Sequence, residues 1–198
     1  MIISDPAKER LERYCANILK WNKTHNLISS SQKNDLWERH IIDSIRIYEY
    51  ISEYNDILVV DYGSGAGFPA LPCAIIAEND KKNIRFLMIE SVNKKASFLS
   101  DTIRTLGLNN IEVKCDRIEN IKDIEADIIT ARAFAKIDDI FSISEDYLKT
   151  NTRFLLLKGR NIQQEIARAQ EKFTFDYKLV NSINGDGFIF IAENVKNT

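Results

Sequence analysis

Prolines and cysteines are scarce in this sequence, three of each in 198 residues, and glycines number only seven. So few breakers leave no room for a long glycine- or proline-rich linker. Cys15, Cys73 and Cys115 are far apart and odd in number. They match neither a zinc spacing nor a disulfide framework and read as free thiols in a reducing cytoplasm. No apolar run approaches the roughly 20 residues that span a bilayer. The first residues, Met1 to Pro6, lack a basic leader ahead of an apolar stretch, so no secretory signal is expected. A surplus of positive charge is missing too, the formal net charge being −2. Proteins that hold bare nucleic acid by charge alone are basic. An RNA substrate would therefore have to be met by a local basic face or inside a larger assembly.

What is present is an ordinary globular balance, 44% hydrophobic and 28% charged, in a length that suits one domain with a small appendage. Residues 1–54 read as a helical cap. Ser4-Asp5-Pro6 is a helix start, and Leu11, Tyr14, Cys15, Ile18 and Leu19 recur at helical spacing. A polar stretch at 29–34 separates this helix from a second, beginning near Asp35, with Trp37, Ile41 and Ile45 on its apolar face. Trp21 and Trp37 read as anchors of the cap.

From Ile57 the pattern changes. Short apolar runs at 57–60, 84–90, 111–115, 127–130 and 154–158 alternate with helical stretches at 68–77, 93–106, 137–148 and 162–172, with Gly107 as a helix stop. This alternation predicts a doubly wound, mostly parallel α/β sheet over residues 55–198. Two strand-like runs, 173–183 and 188–192, flank Asn184-Gly-Asp-Gly187, so an antiparallel hairpin should close the sheet as its seventh strand is added.

Asp61-Tyr-Gly-Ser-Gly-Ala-Gly67 lies between the first strand and the first core helix. Glycines there let the backbone turn tightly and approach a ligand, and the following helix start offers free amides. Phe68 stands where a dinucleotide fingerprint needs its last glycine, and no Gly-Lys-Ser/Thr follows, which disfavours NAD, FAD and a triphosphate loop. Asp61, two residues before Gly63, suits a ligand carrying an ammonium group. Glu90 closes the second strand, where a carboxylate can accept ribose hydroxyls, and Asp116 follows the third. Glycine loop and carboxylates at successive strand ends point to S-adenosylmethionine, with Asp61, Gly63, Gly65 and Glu90 among its contacts.

Several strings, in order along most of the chain, resemble the bacterial 16S ribosomal RNA guanine-N7 methyltransferases, also called glucose-inhibited division protein B. They are Trp21-Asn-Lys-Thr-His-Asn-Leu27, Arg39-His-Ile-Ile-Asp-Ser44, Asp61 to Pro69, Glu90-Ser91 with Lys94, Ala131-Arg-Ala-Phe-Ala135 and Leu157-Lys-Gly159. The resemblance implies a class I methyltransferase fold and methylation of N7 of a guanine in the 530 loop of 16S rRNA. It also implies cofactor contacts at Gly63, Phe68, Ile118, Glu119 and Arg132. The sequence departs from the family pattern at Tyr62, Ala70, Glu90 and Ile28-Ser29, where a small aliphatic residue, glycine, aspartate and threonine-alanine are usual.

Guanine N7 is unprotonated at neutral pH and carries an in-plane lone pair, so no general base is required, and none is assigned. The protein need supply only proximity, in-line geometry and electrostatics. Candidates to grip the RNA are Asn26, Arg39, His40, Asp43, Ser44, Arg132 and Lys158, since cations meet phosphates, and Phe68 or Phe134 could stack on a base. Lys149, Arg153, Lys158 and Arg160 could form a basic patch. Simpler readings compete at several positions: a packing histidine at 40, a helix ion pair between Arg39 and Asp43, and an ion pair of Arg132 with Glu90 or Glu119. The expected partner is 16S rRNA or the small ribosomal subunit, met by a cytoplasmic monomer without metal or membrane. The alternatives are a methyltransferase for a small molecule or protein, and a non-catalytic binding module with a merely structural glycine loop.

Overall fold

The computed structural model describes residues 3–29, 35–122, 124–145, 148–182 and 187–198. Helix α1 (Asp5–Trp21) starts as its sequence signals, with the Ser4 hydroxyl accepting the Ala7 N–H at 3.5 Å. Its buried stripe is Ala7, Leu11, Tyr14 and Ile18. The second helix is less regular than its spacing predicts: a π-helical turn (Trp37–Ile41) precedes α2 (Ile42–Ile51).

The core then alternates as β1 (Ile57–Tyr62), α3 (Ala70–Asn79), β2 (Ile84–Ile89), α4 (Asn93–Leu106), β3 (Ile111–Lys114), a 3-10 turn (Ile118–Asn120) and β4 (Ala126–Arg132). There follow α5 (Ile137–Ser144), β5 (Leu148–Lys158), α6 (Ile162–Gln170), β6 (Phe173–Asn181) and β7 (Phe188–Asn197). The seven strands lie in the order β3-β2-β1-β4-β5-β7-β6. β7 runs antiparallel to both of its neighbours, and the remaining pairs are parallel.

Both sheet faces are covered, which explains the near-continuous apolar strands. Val59, Phe86 and Leu155 join α1, α2, α3 and α4 in one apolar cluster. Val60, Leu87 and Leu156 point the other way, towards α5 and α6. The helices of residues 5–51 thus share a core with α3, and α2 is also tied to the closing hairpin, where Arg46 donates to the Asn181 carbonyl at 2.6 Å. α4 stops at Gly107, whose φ of +64° is the left-handed C-terminal turn its position predicts.

Two boundaries differ from the sequence expectation. Apolar spacing carries a helix to Leu148, but α5 ends at Ser144 and Leu148 already pairs with Ala126. Local polar bonds favour the strand: the Thr152 hydroxyl donates to the Ala126 carbonyl at 2.7 Å and accepts the Lys149 N–H at 2.8 Å. β7 also runs on to Asn197, past the expected end at 192, because Phe173 of β6 pairs with it there. The turn expected at 184–187 lies mostly outside the described residues.

Candidate active site

β1 stops being apolar at Asp61, whose carboxylate has no solvent exposure. Its Oδ1 accepts from the Thr130 hydroxyl at 2.7 Å, while Oδ2 has no partner among the described residues. Burial pushes the Asp61 carboxyl up to about 7, with hydroxyl hydrogen bonds opposing and nearby Glu90 adding to the rise. An orphaned acceptor at this depth suits an ammonium group, so Asp61 fits the amino-acid end of S-adenosylmethionine.

The loop beyond it turns through left-handed glycines. At Gly63 (φ +63°) an added Cβ would come within 2.3 Å of Phe134 Cδ2, and at Gly67 (φ +98°) within 2.4 Å of Leu71 Cδ1. Glycine is required at Gly63 because a ring lies against the loop, a reason the sequence did not offer.

Glu90, at the end of β2, receives the Gly65 N–H on Oε2 at 2.8 Å and the Val92 N–H on Oε1 at 2.9 Å. This glutamate therefore laces β2 to the glycine loop. A carboxylate oxygen has two lone pairs, so capacity remains for ribose hydroxyls. Asp116 accepts from Arg117 N–H at 2.7 Å and Asn120 Nδ2 at 2.8 Å. Those bonds, that from Asn120 foremost, hold its carboxyl below the usual range and shape the 3-10 turn. A cavity of about 210 Å³ opens here, lined among others by Gly63, Ile89, Asp116, Ile118, Glu119 and Phe134. Ile118 and Glu119 thus lie with Gly63 around one cavity. Phe68 does not line this cavity. It is buried between α1 and the π-helical turn, tilted against Tyr14 at 5.4 Å and stacked on His40 at 4.7 Å.

Arg132, at the end of β4, turns towards the other side of the site. Its guanidinium donates to the Arg39 carbonyl at 3.2 and 3.3 Å and lies 3.8 Å from Asp43 Oδ2. Arg132 is thus paired with the Arg39–Ser44 segment, and among the described residues it has no ion pair with Glu90 or Glu119. Asp43 also receives the Ser182 hydroxyl at 2.6 Å. His40 is buried, and neither ring nitrogen has a hydrogen-bond partner among the described residues. Burial, then the charges of Arg132 and Arg39, lower its pKa to about 3, so the imidazole is neutral at working pH.

The structure thus gathers Arg39, His40, Asp43 and Arg132. Asn26 is exposed on the loop after α1. Ser44 has no exposed surface and donates to the His40 carbonyl at 2.7 Å, a helix-packing arrangement. Lys158 also points inward: its side chain is 7% exposed, and Nζ donates to the Ala135 carbonyl at 2.6 Å and to Glu165 at 2.8 Å. Lys149 and Arg153 do not join Lys158 in the expected basic patch. Lys149 pairs with Asp127 and Arg153 with Glu53 and Glu193, at the beginning and middle of β5 rather than at its C-terminal end.

Three positioning residues escaped the sequence reading. Tyr14 donates to the Ala66 carbonyl in the glycine loop at 2.6 Å. Asn22 Oδ1 accepts the N–H groups of Leu27 and Ile28, at 2.7 and 3.0 Å, and so shapes the loop carrying Asn26. Tyr62, a departure from the family pattern, bonds to Ser144 and meets Phe134 edge to face at 6.0 Å. Trp21 packs on Phe98 at 5.6 Å, an anchor as expected. Among the described residues no cluster of His, Cys, Asp and Glu could hold a metal ion, and no helix is long and apolar enough to cross a membrane.

The sheet order, with a glycine loop after β1 beside the switch point between β1 and β4 and carboxylates at the ends of β1, β2 and β3, defines the class I S-adenosyl-L-methionine-dependent methyltransferases. A solved SAM-dependent methyltransferase from Aquifex aeolicus shares the fold with TM-score 0.61 at 15% identity, over 91% of this chain and 97% of that one. So does TYW2 of M. jannaschii in complex with AdoMet, with TM-score 0.53 at 13% identity, over 78% and 76%. Within that class, this chain belongs to the rRNA small subunit methyltransferase G (GidB) family, whose model matches residues 7–187. Ribosomal RNA small subunit methyltransferase G of Ruegeria pomeroyi is 36% identical, over 91% of this chain and 87% of that protein. Its counterpart in Rickettsia prowazekii is 37% identical over 94% of each. S-adenosyl-L-methionine is accordingly the cofactor.

Proposed function

We propose that this protein transfers the methyl group of S-adenosyl-L-methionine to N7 of a guanine in the 530 loop of 16S rRNA, as a cytoplasmic monomer acting on the small subunit or its RNA. The cofactor half of the reading is carried by the buried Asp61 oxygen without a partner among the described residues, at a strand end beside the glycine loop, and the acceptor half by membership of the rRNA small subunit methyltransferase G family. When bound, the cofactor supplies an electrophilic methyl: N7 forms the new bond to carbon, and the carbon–sulfur electron pair stays on sulfur.

The chain's own contribution is placement. Asp61 offers its free oxygen to an ammonium group, Glu90 its remaining lone pairs to ribose hydroxyls, and the cavity beside Ile118 and Glu119 its walls to an adenine. On the acceptor side, Arg39 is exposed and suits a phosphate. Asp43, anchored by Arg132 and Ser182, places negative charge near a base that becomes cationic on methylation. The neutral His40 holds Phe68 in place by stacking. No residue is needed to remove a proton, since N7 carries none. The test is labelled-methyl transfer from S-adenosyl-L-methionine to small subunits, naked rRNA and a protein extract. Label in RNA is expected; label confined to protein or small molecules would refute the assignment.

A further inference from the structure

Phe134 is a large apolar side chain left 37% exposed beside the cofactor cavity. Isolated exposed apolar residues are common, but this one is fixed from several sides. Ala133 turns the chain through a positive φ of 51°, which a residue with a Cβ adopts at a cost. The inward Lys158 ammonium then clamps the Ala135 carbonyl at 2.6 Å, and its partner Glu165 accepts the Ile137 N–H at 3.2 Å. The ring itself rests on Gly63, where no Cβ would fit, and edge-on against buried Tyr62 at 6.0 Å. Arg132 precedes it by two residues and faces the Arg39–Asp43 side.

We propose that Phe134 is the platform on which the target base stacks, presented rigidly by the Lys158–Glu165 clamp. The inference rests on the acceptor being an RNA base, as argued above. Of the two aromatic rings the sequence offers for stacking, Phe68 is buried against His40 and Tyr14, whereas Phe134 has a free surface beside the cofactor cavity. Every base has a π-face, so a preset ring orients a base without a hydrogen-bond code. A rigid platform also holds the nucleophile at the distance that in-line transfer needs. Lys158 is a positioning residue, acting through Phe134 rather than on RNA.

The test uses the full chain, S-adenosyl-L-methionine and small subunits assembled from unmodified 16S rRNA. Phe134→Leu keeps an apolar wall and removes the π-face, and Phe134→Trp keeps both. The leucine variant should raise KM for the subunit by about tenfold or more, well beyond any loss of cofactor affinity measured by calorimetry, and the tryptophan variant should restore the low KM. Lys158→Met should raise the same KM, and combining it with Phe134→Leu should add little, because both act through one ring. Wild-type KM in Phe134→Leu, or a loss of cofactor affinity matching the loss in acceptor KM, would overturn the platform and leave Phe134 as a cofactor wall. Additive losses in the double variant would overturn the clamp. If the wild-type chain methylates no small-subunit RNA, the proposed function falls with the platform, an outcome distinct from a defect confined to Phe134 variants.

Discussion

The hydroxyl of Tyr14, on the first helix, donates to the main-chain carbonyl of Ala66, in the middle of the glycine loop, at 2.6 Å. Both groups are buried, so the N-terminal helix acts as a brace for the glycine loop. The loop is held from the opposite side by Glu90, through the Gly65 N–H. Its left-handed turns, costly for residues other than glycine, are thus fixed before any ligand arrives, which lowers the ordering cost of binding.

Removing only that hydroxyl tests the brace. Tyr14→Phe strands a buried carbonyl at a cost of roughly 1–3 kcal/mol. S-adenosyl-L-methionine affinity should fall about tenfold by calorimetry, with kcat at saturating cofactor changed less than about twofold. A lowered unfolding temperature with unchanged affinity would mean that the bond serves stability alone.

Gly63 and Gly65 should respond differently to alanine. At Gly63 the new methyl meets Phe134 at 2.3 Å, whereas at Gly65 the nearest heavy atom is the Gly63 carbonyl oxygen at 3.8 Å. Gly65→Ala should therefore cost about 1–2 kcal/mol from its positive φ. Gly63→Ala should cost more and should displace Phe134, and Gly63→Asp should abolish cofactor binding. Equal unfolding free energies for Gly63→Ala and Gly65→Ala in denaturant titrations would count against the contact.

How far the sequence reaches is plain at these positions. The strand–helix alternation, the stop at Gly107 and the acidic strand ends are local patterns, and spacing alone exposes them. The brace is not local. Tyr14 sits in an apolar helical stripe, where any aromatic reads as packing, and only the fold brings it to Ala66, 52 residues away. Lys158 misleads for a related reason. A lysine at a strand end reads as a solvated cation, yet Glu165, one helix turn into α6, and the Ala135 carbonyl satisfy it inside. The π-helical turn under Arg39 and His40 leaves no periodic signal strong enough to separate it from an α-helix.

Two buried groups give opposite pH signatures. The folded pKa of Asp61 is raised to about 7, so between the unfolded value and about 7 the native state binds more protons and stability declines as pH rises. Asp61→Asn should therefore stabilise the free protein at pH 8, by on the order of 1–2 kcal/mol in denaturant titrations. The same variant should weaken cofactor binding, because the ammonium loses its counter-charge. In wild type, affinity should drop by up to about tenfold per unit below pH 7 as Asp61 protonates; affinity flat from pH 8 to pH 5.5 would contradict this role.

His40 has its folded pKa lowered to about 3, so below the ordinary histidine value the unfolded state binds more protons and stability falls on acidification towards pH 3. His40→Phe should reduce this acid sensitivity in thermal scans between pH 6.5 and pH 4, and it retains a ring to stack on Phe68. An unchanged acid slope would show that His40 is not the group responsible.

The most direct measurement is the identity of the methylated base. Small subunits carrying unmodified 16S rRNA would be incubated with the protein and S-adenosyl-L-methionine bearing a tritiated methyl group, and the RNA digested to nucleosides. The proposed function predicts label in 7-methylguanosine and none in protein. Label in any other nucleoside, or in protein alone, would contradict it.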